Sequence, residues 1–81
     1  MSNAEYVKAT IVNVRRLWER ADSIASDVRE GRKTRKCAEH EMCFLAMTSW
    51  KEVVKQTFTW LDPTDDELEE GAILALEACM E

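Results

Sequence analysis

From Val7 onward the apolar residues recur at Val7, Ile11, Val14, Trp18, Ala21, Ala25 and Val28. The steps alternate between four and three, the spacing of a seam along a packed helix. Leu17 and Ile24 widen this seam toward the broad apolar face of a globular bundle helix. Ser2 followed by Glu5 supplies a capping box, and Gly31 the usual C-terminal stop. The pattern predicts a first helix over about residues 4–29. Thr34 caps a second, whose seam is Cys43, Met47, Trp50, Val54 and Leu61, flanked by Ala38, Met42, Leu45, Ala46, Val53 and Phe58. It is predicted to run to about Leu61. "DPTDDE" then stops and restarts the chain: Asp62 or Thr64 caps, Pro63 suits a first turn, and Glu67 completes a box with Thr64. Leu68, Ala72, Ala75, Leu76 and Cys79 share one face of a third helix. No stretch alternates with the period of a strand. The fold class predicted is all-α, a three-helix antiparallel bundle of two long helices and a shorter third, with residues 1–81 as a single helical domain.

The lengths add a prediction. Helices of about 25 and 27 residues make a hairpin roughly 38–40 Å long, while a third of about 17 residues reaches only about 25 Å. Starting from the second turn, it leaves Ala21, Ile24, Ala25, Val28, Ala38, Met42 and Cys43 uncovered. An apolar groove of that size is unusual on a monomer. A homodimer interface through these residues is therefore expected, with the first turn of one copy meeting Glu77 or Glu81 of the other.

Composition narrows the class. The chain has 81 residues, 46% hydrophobic and 33% charged, with two glycines and one proline. That is too apolar for disorder and too poor in turn residues for an all-β fold. Cys37, Cys43 and Cys79 are too few, and odd in number, for a secreted disulfide scaffold, so reduced thiols and a cytoplasmic location are expected. The start has neither the basic residues nor the apolar run of a signal peptide. The longest apolar stretches, "CFLAM" and "AILAL", are far shorter than the ~20 residues that span a bilayer, so no membrane is expected. Residues 1–4, in which "SNA" resembles the scar of a cleaved tag, stay outside the functional reading.

Charge is divided unevenly. Residues 1–36 carry nine basic and five acidic residues, a net of +4; residues 37–81 carry two and eleven, a net of −9. The basic excess gathers at the first turn, in Arg29, Arg32, Lys33, Arg35 and Lys36. Arg29 suits a helix C-terminus, but Arg35 and Lys36 open a helix, where cations are disfavoured. Arg32, Lys33, Arg35 and Lys36 therefore read either as a solvated turn or as a site for a partner or an anion. The acidic excess falls in Asp62, Asp65, Asp66, Glu67, Glu69 and Glu70, more acids than capping requires. With Trp60 beside them as a candidate anchor, they read as an acidic face that engages the basic surface of a protein partner. Direct nucleic-acid binding is not expected at a net charge of −5.

Candidate chemistry is sparse. Cys37, His40 and Cys43 lie on one helix, spread over about 120° and nearly two turns, too dispersed to converge as metal ligands. "HEMCF" lacks the second histidine of the H-E-x-x-H zinc motif, Phe44 standing in its place. His40 lacks the neighbours that phosphotransfer requires. No nucleophile–base grouping and no glycine-rich phosphate loop occurs. Neither enzymatic activity nor a metal or other cofactor is expected.

The functional expectation is a small acidic, non-enzymatic protein-binding module: an inhibitor or antagonist docking on a larger nucleic-acid-handling protein. In size and charge alone, with no shared motif, it is similar to the anti-defence proteins of phages and mobile elements, the anti-CRISPR inhibitors among them. The alternative is a self-associating adaptor or assembly subunit, and the third class is a metal or redox sensor working through the cysteines.

Overall fold

A computed structural model describes residues 2–57 and 62–81, with the side chains of 2–50 and 62–81. Four helices form among the described residues: α1 (Asn3–Asn13), α2 (Arg15–Arg29), α3 (Arg35–Thr57) and α4 (Asp65–Met80). There is no strand among them. The all-α class holds, but the first of the three expected helices is two. Val14 takes an extended conformation, φ −85° and ψ 111°, and separates α1 from α2. An unbroken helix would carry Val7 and Ile11 far from the rest of the core. The break lets α1 fold onto α4 instead, where both residues are fully buried.

Most local signals act as their chemistry requires. Ser2 accepts the Glu5 backbone N–H at 3.2 Å. Gly31, at φ 78°, ends α2; the Arg32 N–H reaches the Asp27 carbonyl and the Gly31 N–H that of Val28, the paired bonds of a Schellman motif. Thr34 accepts from the Cys37 N–H at 3.2 Å. Thr64 and Glu67 form a complete capping box, 2.8 Å and 3.2 Å. Pro63 is buried one position ahead of this cap rather than in the first turn, and Leu68, four residues into α4, is buried too. These are the two positions of a hydrophobic staple.

α4 is the central element. It touches all three other helices, α1 most extensively. Its buried face is Leu68, Gly71, Ala72, Ala75 and Leu76. Gly71 marks the closest crossing, since a Cβ there would lie 2.5 Å from the Val7 Cβ and 2.7 Å from the Ala4 carbonyl oxygen. Only a residue without a side chain allows α1 so near.

The seams run somewhat differently from the expected ones. On α2 the buried residues are Leu17, Ala21 and Ala25, whereas Trp18 is 42% exposed. The interruption at Val14 resets the helical phase, so that Leu17 rather than Trp18 points inward. On α3 the buried residues are Ala38, Met42, Leu45 and Ala46; Cys43 and Trp50 are half-buried and Met47 is 41% exposed. Met47 lies nine positions on from Ala38, half a turn around the helix, so the stripe that buries Ala38 leaves Met47 outside. The expected end of the second helix at Leu61, and its seam residues Val54 and Leu61, lie outside the described residues or side chains.

The open groove implied by the helix lengths is absent. Ala21, Ala25, Ala38 and Met42 are buried to 1% exposure or less within the one chain, and Ile24, Val28 and Cys43 pack against the same core. The reason is where α4 ends. Its last turn reaches the α2–α3 connection, so the end of the hairpin expected to be open is covered by the chain's own α4 and needs no second copy.

Candidate functional site

The basic turn is built against the C-terminal end of α4. Arg29 donates to the Cys79 carbonyl at 2.6 Å, satisfying one of the carbonyls that a helix end leaves unpaired. It also lies 3.7 Å from Asp22. Arg35 pairs with Glu39 at 3.3 Å and with Glu77 of α4 at 2.9 Å. The expected meeting of the basic turn with Glu77 thus occurs within one chain, not between two. Arg32 bridges Asp27, at 2.8 Å, and Glu30; Lys33 bridges Glu41 and Asp27. Hydrogen bonding from Arg32 holds the Asp27 carboxyl below the ordinary carboxylate range, and Lys33 adds to the effect. Its bond to Glu41 raises the Lys33 ammonium in turn. Of the four cations proposed as an anion site, Arg32, Lys33 and Arg35 are therefore neutralised internally. Lys36 alone makes no ion pair among the described residues.

The acidic cluster is organised in the opposite way. Asp62, Asp65, Asp66, Glu69 and Glu70 are exposed, and none takes part in an ion pair among the described residues. Glu67 differs from them. Its carboxylate accepts the Thr64 N–H and lies beside Asn3 of α1, and the Thr64 bond holds it below the usual range. It is a structural cap and ties the start of α1 to the start of α4. Asp66, Glu69 and Glu70 surround a shallow depression floored by half-buried Ile73 and Leu74. The outer side of α4, a convex helical ridge, thus carries a shallow apolar depression fringed by carboxylates, and its two aliphatic residues lie outside the seam expected from the sequence. At 3.6 residues per turn, Asp66, Glu70 and Ile73 line up along one side of the helix. Trp60, the expected anchor beside this face, lies outside the described residues.

The cysteines do not meet. Cys37 is exposed on α3, while Cys43 and Cys79 are half-buried on different helices. Burial, then the nearby Glu69 and Glu39, push the Cys43 thiol up; burial and Asp22 push up Cys79, against the opposing charge of Arg29. Among the described residues no three His, Cys, Asp or Glu side chains gather as a metal site. Also among them, no helix is long and apolar enough to cross a membrane.

Set against models of known families, curated proteins and solved structures, the chain matches none. The functional reading therefore rests on the arrangement of these surfaces.

Proposed function

We propose that the protein is a small non-enzymatic binding module that docks through the outer face of α4 onto a basic surface of a larger protein. The reading is supported by one contrast. Arg29, Arg32, Lys33 and Arg35 of the first turn are paired internally, Lys36 being the exception, whereas Asp65, Asp66, Glu69 and Glu70 remain exposed, without ion pairs among the described residues, beside Ile73 and Leu74. Such a face offers carboxylates to lysines and arginines for steering and register, and aliphatic surface for affinity. A groove that normally receives nucleic-acid phosphates has the complementary chemistry, so an inhibitor or antagonist of a nucleic-acid-handling protein is the specific form proposed. A steered contact of this kind weakens as salt rises.

The test compares capture from the native cell by the wild type and by a variant with Asp65, Asp66, Glu69 and Glu70 changed to Lys. The wild type should retain a basic protein that is released by salt and whose nucleic-acid binding it blocks. The variant should keep its helical circular dichroism and lose that protein. Undiminished capture and inhibition by the variant would remove the acidic face from the mechanism.

A further inference from the structure

Two depressions run along the seam between α2 and α3 and meet at Phe44 and Arg20. One, of about 470 Å³, is lined by Arg20, Ser23, Ile24, Asp27, His40 and Phe44, among others. The other continues the trough past Arg16, Leu17, Leu45 and Thr48. Phe44 is 69% exposed at their junction. An aromatic ring so open, flanked by half-buried Ile24, is apolar surface that the described residues leave uncovered. Among the described residues the charges around it are not balanced. Asp27 and Glu41 are already engaged by Arg32 and Lys33. Arg16 and Arg20 are exposed and take part in no ion pair among the described residues. The trough thus offers apolar surface at Phe44 and Ile24, flanked by two guanidinium groups that form no ion pair with the described residues.

The complementary surface is present on the same chain. The outer face of α4 sets Ile73 and Leu74 among Asp66, Glu69 and Glu70. From Asp66 to Leu74 it spans about 12 Å, and from Arg16 to Ile24 the trough spans about 12 Å as well. We propose that the trough between α2 and α3 receives the acidic ridge of α4 from a second copy of this chain. Leu74 and Ile73 would cover Phe44, and Glu69 and Glu70 would pair with Arg16 and Arg20.

The geometry also sets the kind of assembly. On α3 the trough residues Glu41, Phe44 and Thr48 lie about half a helical turn around from Arg35, Glu39 and Cys43, the side that faces α4. Ridge and trough therefore occupy different sides of one molecule, and the contact is heterologous, copy adding to copy head to tail. It differs from the groove expected from the helix lengths, most of whose residues the single chain buries, and shares only Ile24 with it. It shares the ridge with the proposed function and rests on that reading's assignment of the ridge as a docking face. Self-association and partner capture then exclude one another.

Sedimentation equilibrium tests this directly. An interface of this small size is weak. The wild type should show 9.4 kDa at low concentration and a weight-average mass that rises continuously with loading concentration. Arg16→Glu/Arg20→Glu should stay at the monomer mass, as should Glu69→Arg/Glu70→Arg, and an equimolar mixture of the two should regain mass. All four positions are exposed, and circular dichroism checks that both variants keep their helices. The trough variant leaves the ridge intact and so keeps partner capture, which separates failure of this contact from failure of the proposed function. A wild-type mass fixed at 9.4 kDa throughout, or association undiminished in Arg16→Glu/Arg20→Glu, would overturn the proposal.

Discussion

Replacing Gly71 by alanine sets two effects of known sign against each other. In a helix interior alanine is favoured over glycine by about 1 kcal/mol, so α4 considered alone would gain. The added methyl, however, would lie 2.5 Å and 2.6 Å from Val7 Cβ and Cγ1 and 2.7 Å from the Ala4 carbonyl oxygen. A flexible side-chain tip could turn away; a Cβ and a backbone oxygen cannot without moving α1. Ordinary contact begins near 3.4 Å, so α1 must back away by about 0.9 Å at the crossing. A gap of roughly 0.5–1 Å forfeits a quarter to a half of each dispersion contact across it. The contacts at stake include those of Ala4, Val7 and Ile11, all buried. Overpacking of this kind costs about 1–3 kcal/mol, and the involvement of backbone places it at the upper end. The expected net effect of Gly71→Ala is a loss of about 2 kcal/mol. At 4–8 °C per kcal/mol for a domain of this size, the melting temperature should fall by roughly 8–16 °C. Thermal unfolding followed at 222 nm reads this directly. A variant as stable as the wild type, or more so, would show that helix propensity outweighs the crossing and would refute the close approach of α1 to α4.

Two further predictions concern titration and thiol access. Asp27 and Glu67 have folded values held below the ordinary range, so the stability they contribute is present above that range and is lost as pH falls through the depressed values. The melting-temperature difference between wild type and Asp27→Asn should therefore be present at neutral pH and close in acid; a difference that persists at about pH 2 would count against the Arg32–Asp27 bond. With Ellman's reagent at neutral pH, exposed Cys37 should react first, and half-buried Cys43 and Cys79 more slowly by about tenfold or more. Cys37→Ser should remove the fast phase, and three equal rates would contradict the packing.

What the sequence reveals is what local chemistry determines. The caps at Ser2, Thr34 and Thr64 and the stop at Gly31 each depend on residues within a few positions, and all four form. The break at Val14 has only a weak local mark, the low helix propensity of the β-branched and Asn residues at 10–14. No glycine or proline stands there, and the seam from Ile11 to Trp18 keeps its spacing through it. It exists because α1 is better buried on α4 than extended beyond α2, a comparison only tertiary packing can make. The same holds for the charges. The clustering of acids and bases is visible in composition, but that Glu77 meets Arg35 in one chain depends on how far α4 reaches along the hairpin. The trough was not legible at all, because Phe44, Arg16 and Arg20 come together only when α2 and α3 pack.

The two charge clusters are best weighed through the helix that joins them. α4 has 16 residues and a length of about 24 Å. Its dipole is met at the C-terminal end by Arg29 and at the N-terminal end by Asp65, Asp66 and Glu67. Part of the acidity is thus accounted for by folding, since carboxylates in a first turn favour the helix through its dipole. That contribution fades beyond the first turn, so it does not explain Glu69 and Glu70. These two stand beside Ile73 and Leu74, have no ion pair among the described residues, and gain nothing from the cap. Reversing Asp65 and Asp66 should lower stability as well as docking, whereas reversing Glu69 and Glu70 should leave the melting temperature nearly unchanged and still abolish docking. If reversing Glu69 and Glu70 leaves capture intact, and reversing Asp65 and Asp66 lowers it only as far as it lowers stability, the acidity of this face serves the helix and docking lies elsewhere on the molecule.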